Sequence, residues 1–141
     1  MSAKKAILVP VGGKPHSIEI EGLSDLQSAV GGWIESASWV FDDEPAMYVN
    51  EEGKFTCLPN RAVYARPEDA GRLTWDGKAI AEGDVLDIIF GDFVCIGFDP
   101  ETGEDRDISD EETARVMERF GAPGDIRSGE REVLRIRSRD K

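Results

Sequence analysis

The chain has 141 residues, 40% of them hydrophobic and 33% charged, and its 29 acidic side chains against 17 basic ones give a net charge of -12. That length fits one domain whose core is large enough to fold without a disulfide or a structural metal, and the composition is that of a globular rather than a disordered chain. A pI near 4.5 argues against direct binding to a nucleic-acid backbone or an anionic membrane; it suits a basic protein surface or a cation, and solubility alone also accounts for it.

Cys57 and Cys95 stand in unrelated apolar settings without a CxxC pair, and His16 is the only histidine. No zinc site is expected from such a set, and no cofactor; the thiols read as core residues in a reducing compartment. The apolar run that begins at Ala6 is too short for a signal segment, and no stretch has the length of a membrane span, so a cytoplasmic protein is expected.

Along the chain, Ala6 to Val11 reads as a central strand, Gly12-Gly13-Lys14-Pro15 as a turn, and Ser17 to Glu21 as the returning strand of a hairpin. A helix follows. Ser24 with Gln27 has the capping-box spacing, Leu23, Leu26 and Val30 share one face, and Gly31 suits a left-handed C-terminal cap. Trp33 to Trp39 then predicts a third strand. Hairpin, helix and strand in that order give a β-grasp-like ββαβ opening.

Ala46 to Val49 and Phe55 to Leu58 read as strands around a turn with Gly53 at positive φ. Ala62 to Ala65 extends a strand or starts a short helix, which Pro67 stops, and Asp76-Gly77 marks a hairpin between residues 73–75 and 78–80. Val85 to Phe98 is the most apolar segment; Gly91-Asp92 makes it two core strands joined at a turn, or one strand with a bulge. Residues 99–107 read as an acidic loop. Ser109 with Glu112 forms a second capping-box spacing, ahead of a helix whose stripe is Thr113, Val116, Met117 and Phe120, closed by Gly121 and Pro123. The expectation is one α+β domain over residues 1–122, mostly antiparallel, with a C-terminal helix. Residues 123–141 form a polar, Arg-rich tail, either mobile or an edge strand over 132–136.

Several blocks occur together and in order: LQSAVGGWIE from Leu26, VNEEGK from Val49, PNRA from Pro59, DIIFGDFVCIG from Asp87 and ISDEE from Ile108. With them the chain resembles the family called domain of unknown function 3846, small proteins of bacteriophages, plasmids and other mobile elements. The resemblance covers roughly residues 5 to 120. It implies a mobile-element accessory protein and implies no reaction.

Four residues are candidates for a ligand pocket. Glu35 leaves the helix–strand corner beside Trp33, where apolar surroundings suit an acid–base carboxylate; it reads equally as an outward strand residue or a partner of Arg61. Asn60 and Arg61 follow a strand end, and a guanidinium beside a carboxamide suits a phosphate or carboxylate; the other reading is a tied-down loop. Asp92 is aimed into a pocket by a bulge, or belongs to a plain turn.

Asp99, Glu101, Glu104, Asp105, Asp107, Asp110 and Glu111, with Glu112, offer an acidic interaction surface. No register fits an EF-hand; a weak divalent-cation site, a DNA-like charge row and a solvated loop are the three readings. The sequence points to a non-enzymatic accessory protein that meets a host protein or a small anionic ligand. The alternatives are a small enzyme with Glu35 as its acid–base group, and a regulatory protein-interaction module.

Overall fold

The computed structural model describes residues 3–74 and 76–122. Strands β1 (Lys4–Val9) and β2 (His16–Ile20) form a hairpin, followed by α1 (Leu23–Val30) and β3 (Ile34–Ser36). Then come β4 (Ala46–Asn50), the single turn α2 (Gly53–Thr56), β5 (Pro59–Tyr64), β6 (Val85–Phe90), β7 (Phe93–Asp99), β8 (Glu104–Arg106) and α3 (Asp110–Phe120). The larger sheet runs β2-β1-β7-β4-β3 with β8 added to β7, while β5 and β6 make a separate two-stranded sheet. Every pairing described is antiparallel.

Three layers result, and the alternation of side chains in the central strands explains them. Ala6, Ala46, Val94 and Ile96 face α1, where Leu26 and Val30 cover them. Ile7, Val9, Met47, Phe93 and Cys95 face the other way, against Val63 and Ile89 of the small sheet and Val116 and Phe120 of α3. Strands buried on both faces show near-continuous apolar runs, which is why β1 and β7 stood out in the sequence. Phe120 meets Phe41 and Phe93 edge to face, with centroids 5.8 and 5.2 Å away.

The ββαβ opening is present, with α1 lying across the sheet. The cap of α1 differs from expectation. Gly22 is the N-cap and Ser24 lies inside the helix; Asp25 instead accepts a hydrogen bond from the Glu21 amide. Gly31 is left-handed at φ 79°, as the C-terminal glycine rule predicts. The third strand is only Ile34–Ser36 before a 3-10 turn at Ser38–Val40. The hairpin over 73–80 forms, with Thr74 N donating to Lys78 O and Gly77 at φ 87°; Trp75, inside it, lies outside the described residues.

Residues 50–58 are not a hairpin, because Gly53–Thr56 is a helical turn. Gly53 does not have a positive φ. It is needed for space: a Cβ there would stand 2.5 Å from the Phe90 carbonyl oxygen. The two strands around Gly91-Asp92 exist, but they belong to different sheets, so the corner passes the chain from one layer to the next. Within the expected acidic loop, Glu104–Arg106 pairs with β7.

The predicted capping box of α3 is formed: Ser109 Oγ accepts from Glu112 N, and the Glu112 carboxylate accepts from Ser109 N. Of its stripe, Val116 and Phe120 are buried, while Met117 stays exposed. Pro123 and the tail over 123–141 lie outside the described residues.

Candidate functional site

Asn60 is the extra residue of a β-bulge, since Pro59 pairs with Phe90 and Arg61 with its neighbour Ile89. The bulge turns its side chain inward, where it is 0% exposed. Its Nδ2 donates to Val9 O at 2.8 Å and Gly91 O at 2.9 Å.

Arg61 is 4% exposed. Its Nε donates to Phe120 O at 2.9 Å, Nη1 to Asn60 Oδ1 at 2.7 Å and Nη2 to Gly13 O at 2.7 Å. Longer contacts of 3.4 Å join Nη1 to Pro10 O and Asn60 O. Burial pushes its pKa down. The pair therefore stitches β5 to the end of β1, the following turn, the Gly91 corner and the last turn of α3.

Asp92 contributes to the same seam, its carboxylate accepting from Val11 N at 2.8 Å. Glu35 is elsewhere. It is exposed on β3 opposite Val49, not enclosed by apolar groups, and lines a cavity of about 390 Å³ beside Trp39, Lys54 and Phe55. Asp92 lines a different cavity of about 290 Å³ near Gly31 and Leu58. Asn60 and Arg61 reach neither, so the four residues do not share one pocket.

The acidic stretch is ordered and partly used by the fold. Asp99 accepts from Glu101 N, Asp107 from Lys5 N, and Asp105 from the Tyr48 hydroxyl at 3.0 Å. Burial pushes Asp105 up, opposed by that hydrogen bond, and burial followed by the Asp105 charge pushes Tyr48 up. Burial also works against ionisation of Glu112, but two hydrogen bonds from Arg106 and the Ser109 amide outweigh it and hold the carboxyl below its usual range. Glu101, Glu104, Asp107, Asp110 and Glu111 present an exposed acidic rim, and Asp99 beside them is half-buried.

The largest concavity described lies apart from all of these. One cavity of about 630 Å³ is bounded by the loop at 41–44, the end of β5 and the outer face of α3. A second of about 560 Å³ adjoins it, and the two share Asp42, Arg66 and Arg119. Asp42 and Asp43 hold left-handed φ values of 55° and 60°, a conformation costing non-glycine residues on the order of 1 kcal/mol each. The surroundings impose it. Asp43 N donates to Ser38 O, Arg119 Nη1 to Val40 O at 2.6 Å, and Arg115 Nη1 to Glu44 O at 2.7 Å.

Arg119 also donates from Nη2 to Tyr64 O at 2.7 Å, and its guanidinium carbon stands 5.6 Å from the centre of the Phe41 ring. Both anchors are neutral carbonyls. Burial, and then the nearby Arg66 charge, push its pKa down against weaker opposition from Asp69 and Glu68. Arg66 and Arg72 both grip Asp69, at 3.2 and 3.3 Å. The Arg66 hydrogen bond is the main reason the Asp69 carboxyl falls to about 2, against the effect of its burial.

The balance of charge differs between the two cavities. The first has Arg66, Arg115 and Arg119 against Asp42, Glu44, Glu68 and Glu118. The second has Arg66, Arg72 and Arg119 against Asp42 and Asp69, and Asp69 is already committed to two of those arginines. In a chain of net charge -12, that wall is locally cationic.

Sequence reasoning missed this cleft. Arg115 and Arg119 stand at i and i+4, one face of a helix; that spacing was the available signal, beside the acidic run before Pro45. Among the described residues no group of three or more His, Cys, Asp or Glu side chains is placed to hold a metal ion, and no helix is long and apolar enough to cross a membrane.

The fold and the site together define a three-layer α+β domain with an arginine-walled cleft on its outer helix. The chain belongs to the family described as Domain of unknown function (DUF3846), which matches residues 4–121. No curated protein and no solved structure matches the chain.

Proposed function

We propose that this chain is a non-enzymatic, cytoplasmic accessory protein of a phage or other mobile element, and that it binds a small anionic ligand in the second cavity. The mobile-element setting rests on what the resemblance of the sequence blocks implies. The binding reading is carried by Arg119: its guanidinium is fixed by two neutral carbonyls, half-removed from water, and stands beside Arg66 in a wall that Arg72 completes. A desolvated cation without a carboxylate partner is stabilised by an incoming anion, and a guanidinium presents a fork suited to carboxylate or phosphate. Calorimetric titration with inorganic phosphate tests this. Arg119→Gln and the milder Arg72→Gln each weaken binding by about tenfold or more while the folded spectrum is kept. Equal affinity in all three proteins refutes the reading.

A second reading is supported by the exposed rim of Glu101, Glu104, Asp107, Asp110 and Glu111, with the half-buried Asp99 at its edge: these carboxylates dock a basic host surface. Its contacts would be screened by salt. Neutralising Glu101 and Glu104 would then abolish association with the host protein and leave phosphate affinity unchanged; unchanged association removes this reading. The enzyme alternative has less support, because Glu35 is solvent-exposed.

A further inference from the structure

The anion-binding reading leaves open what kind of anion fits, and the shape and lining of the cleft narrow it. Cavities of about 630 and 560 Å³ are each within the range that takes a drug-sized molecule, so a bare phosphate or acetate ion would leave most of the space to water. The second cavity is also chemically mixed. Its lining combines Arg66, Arg72 and Arg119 with the apolar Trp39, Leu73, Ile80 and Leu86.

Two of those apolar residues are unusually open for their size, Trp39 at 45% and Leu73 at 69% exposure. Both line the cavity that Arg66, Arg72 and Arg119 also line. An exposed hydrophobic side chain alone means little. Here an indole, Leu73, Ile80 and Leu86 line the same concavity as three guanidiniums.

Resting on the anion-binding reading, we infer that the ligand is an amphipathic anion, a free small molecule whose phosphate or carboxylate meets Arg66, Arg72 and Arg119 and whose aromatic or alkyl body lies against Trp39, Leu73 and Leu86. Glu44, Glu68 and Glu118 line only the first cavity, though the charge of Glu68 still acts on Arg66 and Arg119 from there. Asp42 is the one carboxylate on the shared wall that neither Arg66 nor Arg72 holds. A ligand hydroxyl or amine next to the anionic group would donate to it. A soluble ligand is favoured over a lipid headgroup in a bilayer, since the acidic surface of the protein is repelled by an anionic membrane.

Phenyl phosphate and inorganic phosphate, titrated into the full chain, test the inference, with calorimetry and tryptophan emission as readouts. Burying a ring against the apolar residues makes phenyl phosphate bind about tenfold tighter or more than phosphate. It also changes the tryptophan emission, and that change disappears in Trp39→Phe with affinity retained. Leu73→Ser lowers phenyl phosphate affinity severalfold and leaves phosphate affinity unaltered, which separates a lining role from a folding role. Equal affinity for the two probes, or emission that does not respond, overturns the amphipathic ligand and leaves the anion site standing. If neither probe binds, the anion site falls with it.

Discussion

Replacing Arg61 with methionine tests whether the buried seam holds the layers together. The substitution keeps much of the side-chain volume and removes every donor. Three short hydrogen bonds are lost, to Phe120 O, Asn60 Oδ1 and Gly13 O, at 2.9, 2.7 and 2.7 Å. Hydrogen bonds from a charged donor contribute about 1.5–3 kcal/mol each, and a buried acceptor left without a partner costs about 1–3 kcal/mol.

Two effects reduce that sum. Gly13 lies in a surface turn where water replaces the guanidinium, and methionine avoids the cost of desolvating a cation. A net loss of about 3 kcal/mol remains, a large part of a stability of about 5–15 kcal/mol. In urea unfolding followed by circular dichroism, the midpoint falls by about 1–2 M at unchanged slope. Arg61→Lys recovers only part of the loss, because one ammonium cannot reach acceptors on three sides. A midpoint within about 0.3 M of wild type would refute the reasoning and release Arg61 for a role in binding.

Gly53→Ala forces a Cβ to within 2.5 Å of the Phe90 carbonyl oxygen; despite better helix propensity it costs about 1–3 kcal/mol by thermal melting, and a neutral or raised melting temperature contradicts the close approach. Asp69, held near 2 by Arg66 and Arg72 against an ordinary 3.8, contributes about 1–2 kcal/mol after allowance for solvent screening. Because its folded pKa is depressed, that contribution is complete above about pH 5 and is lost as pH falls through about 2. Asp69→Asn is therefore less stable than wild type at pH 7 and loses most of that deficit by about pH 2, and an equal deficit at both pH values would show that charge is not the cause. Burial pushes the Cys95 thiol up and leaves it fully enclosed, whereas Cys57 is only partly buried. A thiol reagent labels Cys57 in the folded protein and both cysteines in urea; fast labelling of native Cys95 would contradict its place in the core.

Features set by neighbours in the chain were legible before the fold was seen. The doubly buried strands β1 and β7 announce themselves as apolar runs, Gly31 as the left-handed end of α1, and Ser109 with Glu112 as a reciprocal cap. Features set by distant neighbours were not. Gly53 is required by the carbonyl of Phe90, which no local turn rule reveals. The corner at Gly91-Asp92 is a turn in either case, but which sheets its flanking strands join depends on β5 and β4.

The candidate site failed for the same reason. Asn60 and Arg61 stand out in the sequence, yet their partners come from residues 9–13, 91 and 120, so their burial is not legible from the strand end alone. The cleft draws on residues 39–44, 62–73 and 115–119, with a further wall at 80 and 86. Reading α3 for its apolar stripe concealed Arg115 and Arg119 on the opposite face.

The decisive measurement is a two-dimensional amide NMR titration of the full chain with phenyl phosphate. Saturable shifts concentrated at residues 38–44, 64–73 and 115–119, lost in Arg119→Gln, are the expected result. Shifts centred instead on residues 34–36, 87–92 or 99–112, or no saturable shift at all, would contradict it.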